Sequence, residues 1–259
     1  MVFALFVDNA VCNSLEDGPL VTSFCFRSQQ WSALGSGPAR ETGANRDVVA
    51  MPLQNRVTPF GELIATEARG LLMGNRGRLH DADRRIVRYA QGRRWISCLT
   101  SFRGRRRTVM SPGSYTELFF LDESVSLAAG HRPCAECRRP EYTAFQSAWA
   151  RAGLGDTSAD AMDLRLDADR LASPRARRTY RGDPAALPSG AFVEIDGVAW
   201  LVRNGRLHAW SPSGYGEARP IGHTTVTVIT PRCVVAVLRA GYRPLVHPSV
   251  DRPTRSDGL

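Results

Sequence analysis

The sequence contains no lysine, so all 34 of its basic side chains are arginines. Codon bias in a GC-rich genome is the simplest reason for this absence. Its physical consequence is that every positive side chain carries a planar guanidinium, which matches a phosphate group in a bidentate way that an ammonium does not. The formal net charge is +9 and the isoelectric point is about 9.9. Such a surplus of positive charge favours polyanions as partners.

Long apolar runs are missing as well. No stretch approaches the roughly 18 apolar residues that a membrane-spanning helix requires, so no membrane partner is expected. The opening segment MVFALFV has no basic residue before it and runs directly into Asp8, which does not fit a secretory signal. We therefore expect a cytoplasmic protein with reduced cysteines, in which a close cysteine pair indicates a metal before a disulfide.

The length of 259 residues allows one large domain or two small ones. Residues 1–50 show no sustained periodicity, and we interpret them as a disordered extension or an artefactual start upstream of Met51. The rest is expected to be α+β, with a small zinc-stabilised α/β module joined to a β-rich C-terminal region and a terminal helix. The predicted boundaries are a metal-binding region at 51–152, an Arg-rich linker with a helix at 153–184, a β-rich region at 185–250 and a disordered tail at 251–259.

Local signals place several elements in the first region. Strands are predicted around Trp95–Phe102 and at Tyr115–Leu121. Asp122 is typical of a helix N-cap, and the short helix that follows should stop at Gly130. A longer helix should begin at Pro140, because large apolar residues then recur at spacings of three and four.

The C-terminal region reads as a β-meander. The segments AFVEI, VAWLV and RLHAW are separated by Asp-Gly and Asn-Gly, which are strong hairpin signals. The segment VTVIT predicts a further strand. A helix with the sequence CVVAVLRA should follow and end at Gly241.

The cysteines carry the clearest chemical signal. Cys134 and Cys137 form a Cys-x-x-Cys knuckle, and Cys98 lies upstream on a predicted strand. A structural zinc site takes about four N or S ligands, so we predict Zn²⁺ on these cysteines with His131 as the nearest candidate for the fourth ligand. His80 is a weaker candidate, and a redox-active cysteine pair is the main alternative.

The run AAGHRPCAECR around the knuckle resembles the Ada-like metal-binding domain family. The resemblance implies a small zinc-stabilised α/β module that contacts DNA, with Cys134 and Cys137 as the downstream ligand pair. It also implies that Cys98 is the upstream ligand, which in this family accepts a methyl group from a phosphotriester. The family usually has two upstream ligands a few residues apart, whereas this chain offers Cys98 alone.

Basic residues surround these cysteines. The 15 residues from Arg93 to Arg107 contain no acid, and aromatic residues are interleaved with the arginines. A metal that joins Cys98 to the knuckle would gather them into a patch able to bind phosphates and stack bases. The predicted nucleic-acid-binding residues are Arg93, Arg94, Trp95, Arg103, Arg105, Arg106, Arg107, Arg138 and Arg139.

These observations lead to three hypotheses. The first is a zinc-stabilised protein that binds nucleic acid, with DNA preferred, in DNA repair or defence. The second is an enzyme, either with Cys98 as a zinc-activated nucleophile for alkyl transfer or with an open zinc position. The third is a protein-interaction module in which zinc only stabilises the fold. Glu117 is a candidate catalytic residue, but a glutamate in this context is more often an ordinary carboxylate on the face of a strand.

Overall fold

The computed structural model describes residues 51–105, 108–173, 176–222 and 224–251, which belong to one compact unit. Within them the chain forms fourteen strands and four α-helices, which confirms the predicted α+β class. The predicted extension at 1–50 and the tail from 252 onward lie outside the described residues.

The first sheet has six strands in the order β2-β1-β5-β3-β4-β6. Pairing is parallel between β1 and β5 and between β4 and β6, and antiparallel elsewhere. The strands predicted around Trp95–Phe102 and at Tyr115–Leu121 are present as β4 and β5 with shorter bounds. The six strands are β1 (Gln54–Val57), β2 (Leu63–Ala65), β3 (Leu72–Asn75), β4 (Ile96–Leu99), β5 (Leu118–Phe120) and β6 (Arg132–Pro133).

The second sheet is antiparallel, in the order β13-β12-β11-β10-β14-β9, and contains the predicted meander. Asp196 and Asn204 open its two tight turns with φ of 53° and 50°, and each precedes a glycine whose φ is also positive. Positive φ at both central residues is what a two-residue hairpin of this hand requires. The strands are β9 (Tyr180–Gly182), β10 (Phe192–Ile195), β11 (Val198–Arg203), β12 (Arg206–Ser211), β13 (Gly214–Pro220) and β14 (Val226–Val228). A separate two-stranded ladder consists of β7 (Leu171–Ser173) and β8 (Ala176–Arg177).

The helices begin and end close to the predicted positions. Asp122 caps the first helix by accepting a hydrogen bond from the Val125 backbone N–H at 2.9 Å, and Gly130 follows its end with φ of 86°. The bounds are α1 (Glu123–Ala128), α2 (Arg139–Arg151), α3 (Ala159–Arg170) and α4 (Arg232–Arg239), with short 3-10 helices at Pro184–Ala186 and Pro248–Asp251. None of the helices in the described part of the chain is long and apolar enough to cross a membrane.

One apolar core joins both sheets through helix α1. Leu72 and Phe120 of the first sheet share this core with Phe192 and Leu201 of the second. Helices α2, α3 and α4 pack around a second apolar cluster, which includes Phe145 and the other large apolar residues of the α2 face. The regions predicted as 51–152 and 185–250 therefore contribute side chains to a common interior.

Two buried carboxylates at the start of α1 reinforce that junction. The Tyr215 hydroxyl donates to Asp122 Oδ2 at 2.7 Å, and the Tyr242 hydroxyl donates to Glu123 Oε1 at 2.6 Å. Both tyrosines come from the C-terminal region, so the short helix just before the cysteine knuckle is held by side chains that are distant in sequence.

Candidate metal centre

The pairing of β4 with β6 sets the position of the cysteines. These strands lie parallel, with Ser97 opposite Pro133, and the Cys134 backbone N–H donates to the Ser97 carbonyl at 2.9 Å. Cys98 and Cys134 are the next residues along the two strands, so the ladder brings them side by side. The turn at 135–138, closed by a hydrogen bond from the Arg138 backbone N–H to the Cys134 carbonyl at 3.1 Å, then returns Cys137 to the same place before helix α2 begins. Its Sγ accepts a hydrogen bond from the Leu99 backbone N–H at 3.4 Å.

The three sulfur atoms of Cys98, Cys134 and Cys137 all lie within 4.8 Å of one another. A tetrahedral ion with metal–sulfur bonds of about 2.3 Å needs sulfur–sulfur separations of about 3.8 Å. Cys98 and Cys134 are buried and Cys137 is half-buried, and the described cysteines are all free. This cluster can hold a metal ion, and it is the single such group found among the described residues.

Hydrogen bonding within the cluster favours the thiolate at Cys134 and Cys137, whereas hydrogen bonds to these two residues and burial raise the pKa of Cys98. The pKa of Cys134 is lowered to about 5, first by a hydrogen bond from the Cys98 thiol and then by the backbone N–H groups of Cys137 and Glu136, against the opposing effect of burial. The pKa of Cys137 is also lowered, first by the Cys98 thiol and then by the Leu99 N–H. Because a thiolate and not a thiol binds a metal, at least two of the sulfurs are prepared for coordination.

His131 is not brought to the sulfurs. It is fully buried, and its Nε2 accepts a hydrogen bond from Arg76 Nε at 3.2 Å. Its ring lies against Trp95 and Phe120, with centroid distances of 5.2 and 4.7 Å. Burial and the adjacent Arg76 hold the pKa of His131 well below its ordinary value, which fits a neutral core histidine. The structure therefore places the predicted fourth ligand in the core, outside the metal-binding group.

The weaker candidate, His80, is also engaged elsewhere. Its Nδ1 lies 2.6 Å from Thr116 Oγ1, and its Nε2 lies 3.1 Å from the Ser111 carbonyl oxygen.

The cysteines open onto a cavity of about 340 Å³. Its floor is one face of the first sheet, because the register sets Met73 opposite both Cys98 and Phe119. The other face of the sheet is buried in the core, where Gly74 leaves room for Phe120. A Cβ at Gly74 would lie 2.2 Å from a carbon of that ring. The lining residues are Met73, Asn75, Ile96, Cys98, Leu99, Thr100, Phe102, Arg105, Val109, Tyr115, Glu117, Phe119, Cys134, Glu136 and Cys137.

Glu117 is a polar residue of the cavity lining, and the sequence left its role open. The residue is only 3% exposed. Its Oε2 accepts a hydrogen bond from the Met110 backbone N–H at 2.8 Å. Its Oε1 is buried and has no hydrogen-bond partner in the described part of the chain. A ligand that donates a hydrogen bond to Oε1 would recover the cost of about 1–3 kcal/mol that an unpaired buried acceptor carries.

Part of the predicted basic patch borders the cavity. Arg103 and Arg105 are exposed, and their guanidinium carbons lie 5.0 and 5.5 Å from the centroid of the Phe102 ring. Arg105 also forms an exposed ion pair with Glu136 at 2.9 Å. Arg106 and Arg107 lie outside the described residues.

The other exposed arginines of the predicted basic patch lie away from the cavity. Arg93 and Arg94 form ion pairs with Asp167 and Asp160 of helix α3, at 3.4 and 3.5 Å. Arg139 is exposed at the first position of helix α2. None of these arginines lines the cavity.

Two members of the predicted nucleic-acid surface are buried, which corrects their assignment. Trp95 is fully buried between the guanidinium groups of Arg76 and Arg170, at 4.2 and 3.9 Å from its ring, so it cannot stack on a base. Arg138 is 2% exposed and forms an ion pair with Glu123 at 2.9 Å, so it cannot reach a phosphate. Both residues belong to the arginine-rich and aromatic segments that predicted a surface, but their side chains are buried in the core.

Models of known protein families, curated proteins and solved structures give no match to this chain. The resemblance to the Ada-like family therefore stays a prediction that depends on the residues around the knuckle. Because a fold by itself does not define an activity, the function has to be argued from the site.

Proposed function

We propose that this protein binds a zinc ion through Cys98, Cys134 and Cys137 and binds nucleic acid at the adjoining cavity. The observation that carries the proposal is the convergence of the three sulfurs on the wall of a cavity bordered by exposed arginines. Neither the identity of the metal nor that of the partner follows from geometry alone, so each has its own supporting argument and test.

The donor set supports zinc. Thiolates are soft ligands that select zinc, copper(I) or iron–sulfur clusters, and a Cys-x-x-Cys knuckle with a further cysteine is a common zinc arrangement. The ion would tie the end of β4 to the start of α2, and binding energy of this kind contributes directly to folding. No fourth donor from the described His, Cys, Asp or Glu residues joins the group. With these three ligands alone, one coordination position of the ion would be open to a water molecule or a ligand atom from the cavity.

The surface beside the ion supports nucleic acid. Arg103 and Arg105 flank the ring of Phe102, which combines positive charge with an aromatic face. Phosphates bind such arginines with release of counterions, and unstacked bases bind aromatic rings. The net charge of +9 adds a long-range attraction for the same partners.

Catalysis is a second candidate, because the three cysteines and Glu117 line one cavity. In a hydrolytic reaction the metal would polarise the bound group while the carboxylate accepts a proton. In an alkyl transfer of the Ada type, the Cys98 thiolate would attack the alkyl carbon of a phosphotriester. The new S–C bond would replace the C–O bond, and the phosphodiester would leave. Either reaction fits a role in DNA repair or defence.

Metal content is the first test. Elemental mass spectrometry on purified protein should find a single zinc ion per chain. Replacement by Co²⁺ should give the visible bands of a tetrahedral thiolate site, and added azide should shift them because one position accepts outside ligands. A zinc-free protein that binds no Co²⁺ would contradict the proposal. Bands that ignore azide would indicate a closed site and remove the hydrolytic route.

Nucleic-acid binding is tested with fluorescein-labelled oligonucleotides by anisotropy over a range of salt concentrations. The affinity should fall linearly on a log–log plot as salt rises. An affinity that ignores salt, or no binding at low salt, would refute this part. Incubation with methylphosphotriester DNA followed by intact-protein mass spectrometry separates the two catalytic routes, because only alkyl transfer leaves a methyl group on the chain.

A further inference from the structure

The cavity beside the cysteines has the size, the walls and the polar group of a pocket for a single base. We propose that it accepts one unstacked base of a single-stranded nucleic acid, and that Glu117 selects the base by accepting a hydrogen bond from an amino group. This inference rests on the nucleic-acid part of the proposed function. It adds that the bound nucleic acid is single-stranded and that the site selects bases with an amino group.

The walls suit a flat ring. Met73, Ile96 and Phe119 lie side by side on the sheet face, and each is half-buried although large and apolar. Tyr115 and Phe102 complete the lining with two more aromatic rings. A volume of about 340 Å³ is near the lower end of the range for small-molecule sites, which is about 300–1,000 Å³. Stacking on such aromatic surfaces is favourable for any base, so it supplies affinity without selectivity.

Glu117 supplies the selectivity. Its Oε2 is held by the Met110 backbone N–H, which fixes the carboxylate, while its buried Oε1 has no partner among the described residues. A carboxylate oxygen accepts hydrogen bonds and offers none. A ligand that brings an N–H group to Oε1 would satisfy it, and a ligand that brings a carbonyl oxygen would be repelled.

The exposed arginines indicate that the ligand is a nucleic-acid strand and not a free base. Arg105 belongs both to the cavity lining and to the exposed surface, and the exposed Arg103 lies beside Phe102, which also lines the cavity. Phosphates on either side of the bound base can therefore meet guanidinium groups while the base is inside. A base in an intact duplex is stacked and paired on both sides, so it cannot enter unless it is first extruded.

These constraints rank the bases. Cytosine presents its N4 amino group and adenine its N6 amino group as donors, whereas thymine presents the O4 carbonyl at the equivalent position. Wild-type protein should therefore bind oligodeoxycytidine more tightly than oligodeoxythymidine. The variant Glu117→Gln should reverse this order. Its side-chain carbonyl would keep the bond from the Met110 N–H, and its amide nitrogen would take the place of Oε1 as a donor.

The experiment measures the affinity of the zinc-loaded full chain by fluorescence anisotropy. The probes are labelled oligodeoxycytidine, oligodeoxythymidine and an abasic oligomer of equal length. We expect oligodeoxycytidine to bind about tenfold more tightly than oligodeoxythymidine, which is the discrimination that a good hydrogen bond to a base provides. The abasic oligomer should bind most weakly, with an unchanged salt dependence because its phosphates are the same. Glu67→Gln, a change at an exposed glutamate, serves as the matched control and should leave the order intact.

A fourth probe makes the test independent of any variant. Oligomers of N4,N4-dimethylcytosine keep the ring and the phosphates but lose the amino donor, so wild-type protein should bind them no better than oligodeoxythymidine. Equal affinities for all probes, each falling with salt, would overturn the base pocket and leave nucleic-acid binding standing. An unaltered preference in a zinc-loaded Glu117→Gln variant would overturn the role of Glu117. No binding of any probe would overturn both this inference and the proposed partner.

Discussion

The guanidinium of Arg138 lies 2.9 Å from the carboxylate of Glu123, and both side chains are almost completely buried. Arg138 directly follows the cysteine knuckle, and Glu123 opens helix α1. The same carboxylate accepts hydrogen bonds from the Tyr242 hydroxyl at 2.6 Å and the Leu245 backbone N–H at 2.9 Å. This ion pair therefore connects the segment that carries the cysteine knuckle to the C-terminal part of the fold.

Removing one member of that pair should be costly. We expect Arg138→Met to lower the free energy of unfolding by about 3–5 kcal/mol, because it leaves the buried Glu123 carboxylate without its countercharge. The neighbouring exposed Arg139 provides the control, since Arg139→Ala should change stability by no more than about 0.5 kcal/mol. Urea denaturation followed by circular dichroism gives both values. Similar small losses in the two variants would show that the pair is energetically unimportant.

Metal binding should depend on each of the three clustered cysteines. Cys98→Ser, Cys134→Ser and Cys137→Ser should each lose most of the zinc, since a hydroxyl is a far weaker ligand than a thiolate. Cys233 is buried in the helical core, so Cys233→Ala should keep the metal. Elemental mass spectrometry on the purified variants measures the zinc content. Full zinc retention in Cys98→Ser would show that Cys98 is not a ligand and that the two knuckle cysteines bind the ion without it.

His131 should prove to be a core residue and not a ligand. In His131→Leu the buried Arg76 Nε loses its acceptor, which should cost about 1–3 kcal/mol of unfolding free energy. The zinc content should stay at the wild-type level, because the ring points away from the sulfurs into contact with Trp95 and Phe120. Parallel measurement of stability and metal content separates the two roles. Loss of zinc from the folded variant would restore His131 as the fourth ligand.

Asp122 should impose a pH dependence on stability. Burial raises the pKa of Asp122 from 3.8 to about 6, against the lowering effect of hydrogen bonds from Val125, His247 and Tyr215. Between these values the folded carboxyl holds a proton that the unfolded one has lost, so stability falls as pH rises from about 4 to about 6. The full effect corresponds to about 3 kcal/mol, present below pH 4 and lost above pH 6.

The measurement compares urea unfolding of wild-type protein and Asp122→Asn across this pH range. Taking the difference cancels metal release and other titrations that the two proteins share. The stability of the wild type relative to the variant should decrease as pH rises. A difference that is flat or increases with pH would show that the folded carboxyl titrates at an ordinary or lowered pKa.

Arg105 should contribute a phosphate contact. Arg105→Ala should weaken oligonucleotide binding and reduce the slope of log affinity against log salt by about 1. Arg85→Ala removes the same charge from an exposed side chain that does not line the cavity, so its slope should match that of the wild type. Anisotropy titrations at several salt concentrations give the slopes. Equal reductions in both variants would indicate a diffuse effect of net charge and no defined contact.

The sequence by itself determined the elements that depend on local chemistry. Asp122 and Gly130 bound helix α1 as predicted, because an N-cap acceptor and a residue with positive φ act within a single turn. The Asp-Gly and Asn-Gly turns likewise defined the β-meander. The Cys-x-x-Cys spacing indicated a metal-binding group, and Cys98 joins it as expected. The strand β13 (Gly214–Pro220) was missed, since its glycines and proline mask the alternation that marks a strand.

Only the tertiary structure decided which polar residues face the site and which face the core. His131, Trp95 and Arg138 all stand close to the cysteines in the sequence, yet each is buried. Glu117 stands apart from them and reaches the cavity, because β5 pairs with β3 and β3 pairs with β4. A one-residue step along a strand exchanges the two faces of the sheet, and the face that becomes buried depends on helices and strands distant in the chain. Local spacing carries no record of those contacts, which is why the cysteine cluster could be predicted from the sequence and the residues around it could not.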